Sequence, residues 1–189
     1  MMNNSANLRM VLDNAGDAAT LTADPVMVST LPVFNLQQQE GSRVARSTST
    51  DAQDIHFDME ADRIVDGDLF VLLGDFSKTA TIKLTLYSGA GQTGDVVYAG
   101  NRELIWKPIP WEEFGWGGYE WGGGAIYEKA SATPAGVISP DLNGNIYLSG
   151  TFEIIDSANE DGYHNLHRLF IGKKITTAVN FGYGYAIEL

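Results

Sequence analysis

Apolar and polar residues alternate along most of this chain with a period of two. In "TATIKLTLY" Ala80, Ile82, Leu84 and Leu86 alternate with Thr81, Lys83, Thr85 and Tyr87, the pattern of a strand with one buried face. "DIHFDME" repeats it with Ile55, Phe57 and Met59. "NLRMVLD" and "AATLTAD" supply strands near the N-terminus, and "HRLFIGKKI" and "GYAIEL" supply strands at the other end. "DLFVLLGDF" is a continuous apolar run, short enough for a strand buried on both faces. "GNIYLSGTFEIID" gives another strand or strand pair, introduced by Asn143-Gly144, a hairpin-type turn dipeptide. No segment sustains a helical period, although "LPVFNLQQQ" suits one short helical turn. Many short strands separated by turn residues, with no fixed-period repeat, predict an all-β antiparallel sandwich or jelly roll. A chain of 189 residues fits one such domain spanning residues 1–189.

Composition sharpens this reading. The 21 glycines exceed the usual share of about 7% and suit a turn-rich β chain. The 24 acidic and 12 basic residues leave a formal net charge of −12. The basic residues are scattered, with no stripe to neutralise phosphates, which argues against a nucleic-acid partner and against adhesion to an anionic membrane surface. There is no cysteine, hence no disulfide framework and no thiolate nucleophile or metal ligand. The start, "MMNNSANLRM", lacks the basic and apolar regions of a signal peptide. No apolar run approaches the roughly 20 residues of a membrane-spanning helix, so no membrane insertion is expected.

Candidate chemistry is sparse. "YSGAGQTGDVVY" contains G-x-G-x-x-G at Gly89, Gly91 and Gly94, directly after a strand. A nucleotide loop would need a helix starting after the last glycine, but Asp95–Gly100 is short and rich in β-formers. A hairpin turn is the better reading, and no cofactor is expected. His164 and His167 stand three apart with Glu160 and Asp161 upstream. This is metal-ligand spacing on a helix, but in a strand it sends the two imidazoles to opposite faces. "DSANEDG" (156–162) has calcium-loop composition, yet a turn capped by its own side chains is the simpler expectation. Neither is taken as a metal site.

The segment 106–124, "WKPIPWEEFGWGGYEWGGG", holds all four tryptophans. Its prolines and glycines forbid regular structure over most of its length. Trp106, Trp111, Phe114, Trp116, Tyr119 and Trp121 therefore form a long aromatic loop. Three destinations remain open for it: packing on its own domain, docking on a partner subunit, or stacking on a sugar ring. Glu112, Glu113, Glu120 and Glu128 lie in or near it, and paired carboxylates serve glycosidases. Solvated loop acids are the default reading. No catalytic residue is assigned, and the expectation is a protein that is not an enzyme.

Four stretches resemble a family of tailed-bacteriophage virion proteins. "LRMVLDNAGDAATLTAD" is similar to that family's first strand, its "N-x-A-D-x-A-T-L" turn and its next strand. "LPVFNLQQQEGSRVARSTS" is similar to its "L-x-x-x-N-L-Q" and "R-V-W-R-S-T". "ATIKLTLYSGAGQTGDVVYAG" is similar to its "A-T-V-R-L-R-L-Y-D-x-A-G-Q-T-G". "DSANEDGYHNLHRLFIGKKITTAVNFGYG" is similar to its "D-x-A-N-P-D-G-Y-x-x-x-x-R-L-F-x-G … N-x-x-Y-G". Two positions depart from the pattern: Ala45 replaces a tryptophan, removing a packing or contact group, and Glu160 replaces a proline.

The resemblance implies a galactose-binding-like sandwich of the carbohydrate-binding-module type. It implies a structural component of a phage tail, distal or in the baseplate, assembled in the host cytoplasm. Its partners would be other tail and baseplate proteins in a symmetric multi-copy assembly. The alternative reading is a carbohydrate-binding module for host attachment, with a host glycan as partner. A third is a glycan depolymerase.

Overall fold

The computed structural model describes residues 9–10, 14–59, 68–77, 79–103, 135–173 and 175–176. The aromatic segment 106–124, the acids Glu112, Glu113, Glu120 and Glu128, and the strand expected at "GYAIEL" lie outside these residues.

Eleven strands follow in chain order: β1 Arg9–Met10, β2 Thr20–Asp24, β3 Ala45–Arg46, β4 Gln53–Asp58, β5 Leu69–Gly74, β6 Thr81–Tyr87, β7 Val96–Glu103, β8 Ala135–Ile138, β9 Ser149–Ile155, β10 Asn165–Gly172 and β11 Ile175–Thr176. Among the described residues there is no α-helix, only 3-10 turns at Ala15–Ala18 and Val33–Gln37. The second is the short helical turn expected in "LPVFNLQQQ".

A five-stranded sheet has the order β2-β4-β9-β6-β7, a four-stranded sheet the order β3-β10-β5-β8, and β1 pairs with β11. Every pairing is antiparallel. The all-β sandwich predicted from the alternation is the observed fold.

The core lies between the two larger sheets. Ile55 and Phe57 on β4, Phe152 and Ile154 on β9, and Ile82, Leu84 and Leu86 on β6 are fully buried from one sheet. Phe70 and Leu72 on β5, with Leu166, Leu169 and Ile171 on β10, meet them from the other. Phe57 is central: its ring centroid lies 5.9 Å from Phe152, 6.2 Å from Phe70 and 6.4 Å from Tyr147. It faces Gly150 across the β4–β9 ladder. A Cβ at Gly150 would overlap the Phe57 ring, so the absence of a side chain there lets the aromatic cluster form. β5 departs from the expectation of burial on both faces. Its Leu69, Phe70 and Leu72 are buried, while Val71 and Leu73 on the outer face are half-buried.

The G-x-G-x-x-G stretch is the β6–β7 hairpin loop. Gly91, Gln92 and Gly94 have φ of 63°, 58° and 78°, in the left-handed region that glycine enters without strain. Backbone bonds Ser88 N–H to Asp95 O (3.0 Å) and Gly89 N–H to Thr93 O (2.9 Å) close the loop. The strand after it runs to Glu103, with no helix at Gly94.

Asn143 and Gly144 also have positive φ, 50° and 80°, as their dipeptide predicts. They do not close a hairpin, however. They sit in the connection from β8 to β9, which belong to different sheets.

The residues that carried the virion-protein resemblance knit the chain together. Asn14 Oδ1 accepts from Gly16 N–H (3.2 Å) and Ile171 N–H (2.8 Å), and its Nδ2 donates to Leu169 O (2.9 Å). Gln37 Nε2 donates to Gly16 O and Ala19 O, while Arg168 reaches Asp17 Oδ2 (2.6 Å) and Leu36 O (3.3 Å). Three stretches that are distant in sequence thus meet over β10. Ala45 is fully buried, so the position where the pattern has tryptophan faces the core. Its role here is packing, not contact.

Candidate functional site

The strand ends fix where loops gather. β2, β3, β5, β7 and β9 finish at one end of the sandwich, and β4, β6, β8 and β10 begin there. That end carries loops 47–52, 75–80 and 156–164. Glu103, opposite Thr81, and Ala135, opposite Leu73, are also at this end. Both strand ends that flank segment 104–134 are therefore fixed here.

The short β3 owes its position to a dense backbone lock. Arg46 N–H donates to Leu31 O (3.0 Å), Val28 N–H to Arg46 O (2.9 Å) and Ser47 N–H to His164 O (3.0 Å). His164 N–H returns a bond to Ser47 Oγ (2.7 Å), which itself donates to Ser49 O (2.6 Å). Asn35 Nδ2 holds Val44 O (2.8 Å) from beneath. Alternation then turns Ala45 inward and Arg46 outward.

Arg46 stands directly across the ladder from Asn165. Its Nε donates to Asn165 Oδ1 at 2.8 Å, and its guanidinium carbon lies 4.2 Å from the Tyr163 ring centroid. All three side chains are half-buried. The ring and the amide fix the guanidinium in place, leaving its Nη1 and Nη2 without a hydrogen-bond partner among the described residues. This immobilised donor pair is the most distinctive chemical feature of the loop end.

Two residues along β10, His167 Nε2 lies 3.0 Å from Asp75 Oδ1. His164 is instead fully buried, its Nε2 donating to Asp51 O at 3.1 Å. A carbonyl partner requires a proton on Nε2, and Nδ1 has no partner among the described residues. The two histidines diverge, His164 preceding β10 and His167 lying at its register shift between Leu166 and Arg168, and no group of three or more His, Cys, Asp or Glu among the described residues could hold a metal ion.

"DSANEDG" is a turn capped by its own side chains. Asp156, 2% exposed, accepts from Ser77 N–H (2.9 Å), from the Ser77 hydroxyl and from Asn159 Nδ2 (3.2 Å). Asn159 Nδ2 also donates to Asp75 O (2.9 Å), and its Oδ1 accepts from Asp161 N–H (3.1 Å). The side-chain oxygens of Asp156 and Asn159 are thus engaged within and beside the turn.

The outer face of the five-stranded sheet carries a row of like charges. Asp24, Asp54 and Glu153 are successive cross-strand partners, followed by Lys83. Lys83 pairs with Glu153 at 2.8 Å. Burial raises the Asp54 carboxyl above its ordinary 3.8. His56 opposes the rise, Glu153 and Asp24 add to it, and Lys83 opposes it. A folded-state value above the unfolded one means the native state binds the extra proton, so stability attributable to Asp54 falls as pH rises through that raised value. Asp54→Asn is therefore expected to raise the urea midpoint at pH 7. The advantage should shrink to nothing as pH is lowered below 3.8, where both carboxyls are protonated. Urea titrations at pH 3, 5 and 7 check it.

The sequence-predicted aromatic residues Trp106, Trp111, Phe114, Trp116, Tyr119 and Trp121 fall outside the described residues. Arg46 and Tyr163 fall on fixed positions of the stretches that resemble virion proteins, but nothing in the sequence marks them, or Asn165, as a site. Arg46 and Asn165 are 119 residues apart, and only strand pairing unites them.

No protein-family model and no curated protein matches the chain. Solved structures do. A chain of the crystal structure of reduced XRCC1 bound to the DNA pol beta catalytic domain superposes with a TM-score of 0.51 at 12% identity, over 88% of this chain and 99% of that one. The family 32 carbohydrate-binding module of NanJ from C. perfringens, in complex with galactose, gives a TM-score of 0.50 at 7% identity, over 87% and 98%. At such identities the likeness is one of fold: a galactose-binding-like β-sandwich.

Proposed function

We propose that the sandwich is a carbohydrate-recognition module that works by attachment and catalyses no reaction. The observation that carries this reading is the Arg46–Tyr163–Asn165 platform at the loop end, with donors fixed in place and unengaged among the described residues. A pre-organised donor pair loses little freedom on binding, which favours affinity. The shared fold with a galactose-bound module is consistent with it by analogy. The reading stands ahead of the tail-scaffold role because the fold is shared with a galactose-bound carbohydrate-binding module.

The setting we propose for the module is a virion tail, on the strength of four collinear stretches of resemblance. There it would contact the host surface while being held by neighbouring tail proteins. Arg46→Ala is expected to weaken saccharide binding at least about tenfold, the scale of one lost charge-assisted contact, with the thermal midpoint little changed. Calorimetric titration of the folded protein with host-surface polysaccharide and a monosaccharide panel tests it. Absence of saturable binding by the wild-type protein would overturn the reading.

A further inference from the structure

We infer that the ligand of the Arg46 platform is an acidic sugar, recognised through its carboxylate. The inference rests on the carbohydrate-recognition reading and narrows it to one substrate class.

The first reason is charge pairing. In a chain with 24 acidic and 12 basic residues, carboxylates are abundant and cations readily find them. Arg43 meets Glu40 at 2.7 Å, Lys83 meets Glu153 at 2.8 Å, and Arg168 meets Asp17 at 2.6 Å. Arg46 is held by an amide oxygen and a ring face, yet it meets no carboxylate among the described residues. Its fixed partners, an amide oxygen and a ring face, orient the charge without neutralising it.

Geometry is the second reason. With Nε committed to Asn165, the remaining donors lie along the Nη1–Nη2 edge of a planar group. Two parallel N–H bonds on one edge match the two oxygens of a carboxylate, a fit that no pair of sugar hydroxyls equals in strength. The third reason concerns stacking. One face of the Tyr163 ring is covered by the guanidinium at 4.2 Å, so that face is not offered to the apolar side of a neutral sugar. Recognition at this spot is polar and charged.

The test is calorimetric titration of the full chain with matched pairs: galacturonate and glucuronate oligosaccharides and sialyllactose, each against its neutral counterpart. The expected result is at least tenfold tighter binding of one acidic member than of its neutral partner. That preference should vanish in Arg46→Gln and be only partly kept in Arg46→Lys, which retains the charge but loses the planar fork. Circular dichroism and thermal midpoints confirm that both variants fold. Equal affinity for acidic and neutral members, or a preference that survives Arg46→Gln, overturns this inference and leaves carbohydrate recognition standing. Saturable binding of none of them overturns both.

Discussion

Phe57→Ala is expected to lower the folding free energy by about 3–5 kcal/mol, the range for truncating a large aromatic in a packed core. The effect should be that large because the ring is fully buried and serves three neighbours at once. Phe70 from the opposite sheet, Phe152 from the adjacent strand and Tyr147 from the β8–β9 connection all pack on it. Their positions are coupled to the bare backbone of Gly150, on which the ring rests. Phe70 and Phe152 cannot collapse into the gap without leaving their own strands. A domain has roughly 5–15 kcal/mol of stability in total, so the variant should stand near its unfolding threshold at 37 °C. The matched control is Phe34→Ala, at a residue 52% exposed, for which the change should stay within about 0.5 kcal/mol. Urea denaturation of both variants checks the pair. Equal midpoints would mean that the aromatic cluster is not the structural centre.

Asp156→Ala is expected to be the largest polar loss, about 3 kcal/mol, since buried donors deprived of their acceptor each cost roughly 1–3 kcal/mol. The carboxylate joins the β5–β6 loop to the β9–β10 turn by accepting from Ser77 N–H, the Ser77 hydroxyl and Asn159 Nδ2. Removing it strands the Ser77 amide beside an apolar methyl. Asp156→Asn keeps one acceptor oxygen and should lose about half as much. Hydrogen exchange gives the local readout: the Ser77 amide should lose protection in Asp156→Ala before the strand amides do. If its exchange is unchanged while global stability falls, the turn is not where the residue acts.

Strands with one buried face were legible because burial alone imposes a period of two. β4, β6 and β9 each alternate buried and half-buried positions through Phe57, Leu84 and Phe152. The turns at 88–95 and 143–144 were legible too, since their backbone angles admit few residue types. Partner choice was not. Nothing local in "VARS" says that Arg46 will lie beside Asn165, because the pairing is decided by which buried faces fit together across the sandwich. The Asn143-Gly144 turn shows the same limit: its angles follow from the dipeptide, but its place between sheets follows from the topology. The candidate site was hidden for this reason, while the aromatic residues that drew attention first lie outside the described residues.

The strand order also dictates when the molecule can take shape during synthesis. β9 lies between β4 and β6, and β10 between β3 and β5, so one inner strand of each sheet is supplied by the last third of the chain. Until residue 172 has left the ribosome, β3 and β5 lack their common neighbour and the first half of the protein offers unpaired backbone. Closure is thus a late, long-range event, of the kind that makes β-rich proteins slow folders and their nascent fragments prone to stick to one another.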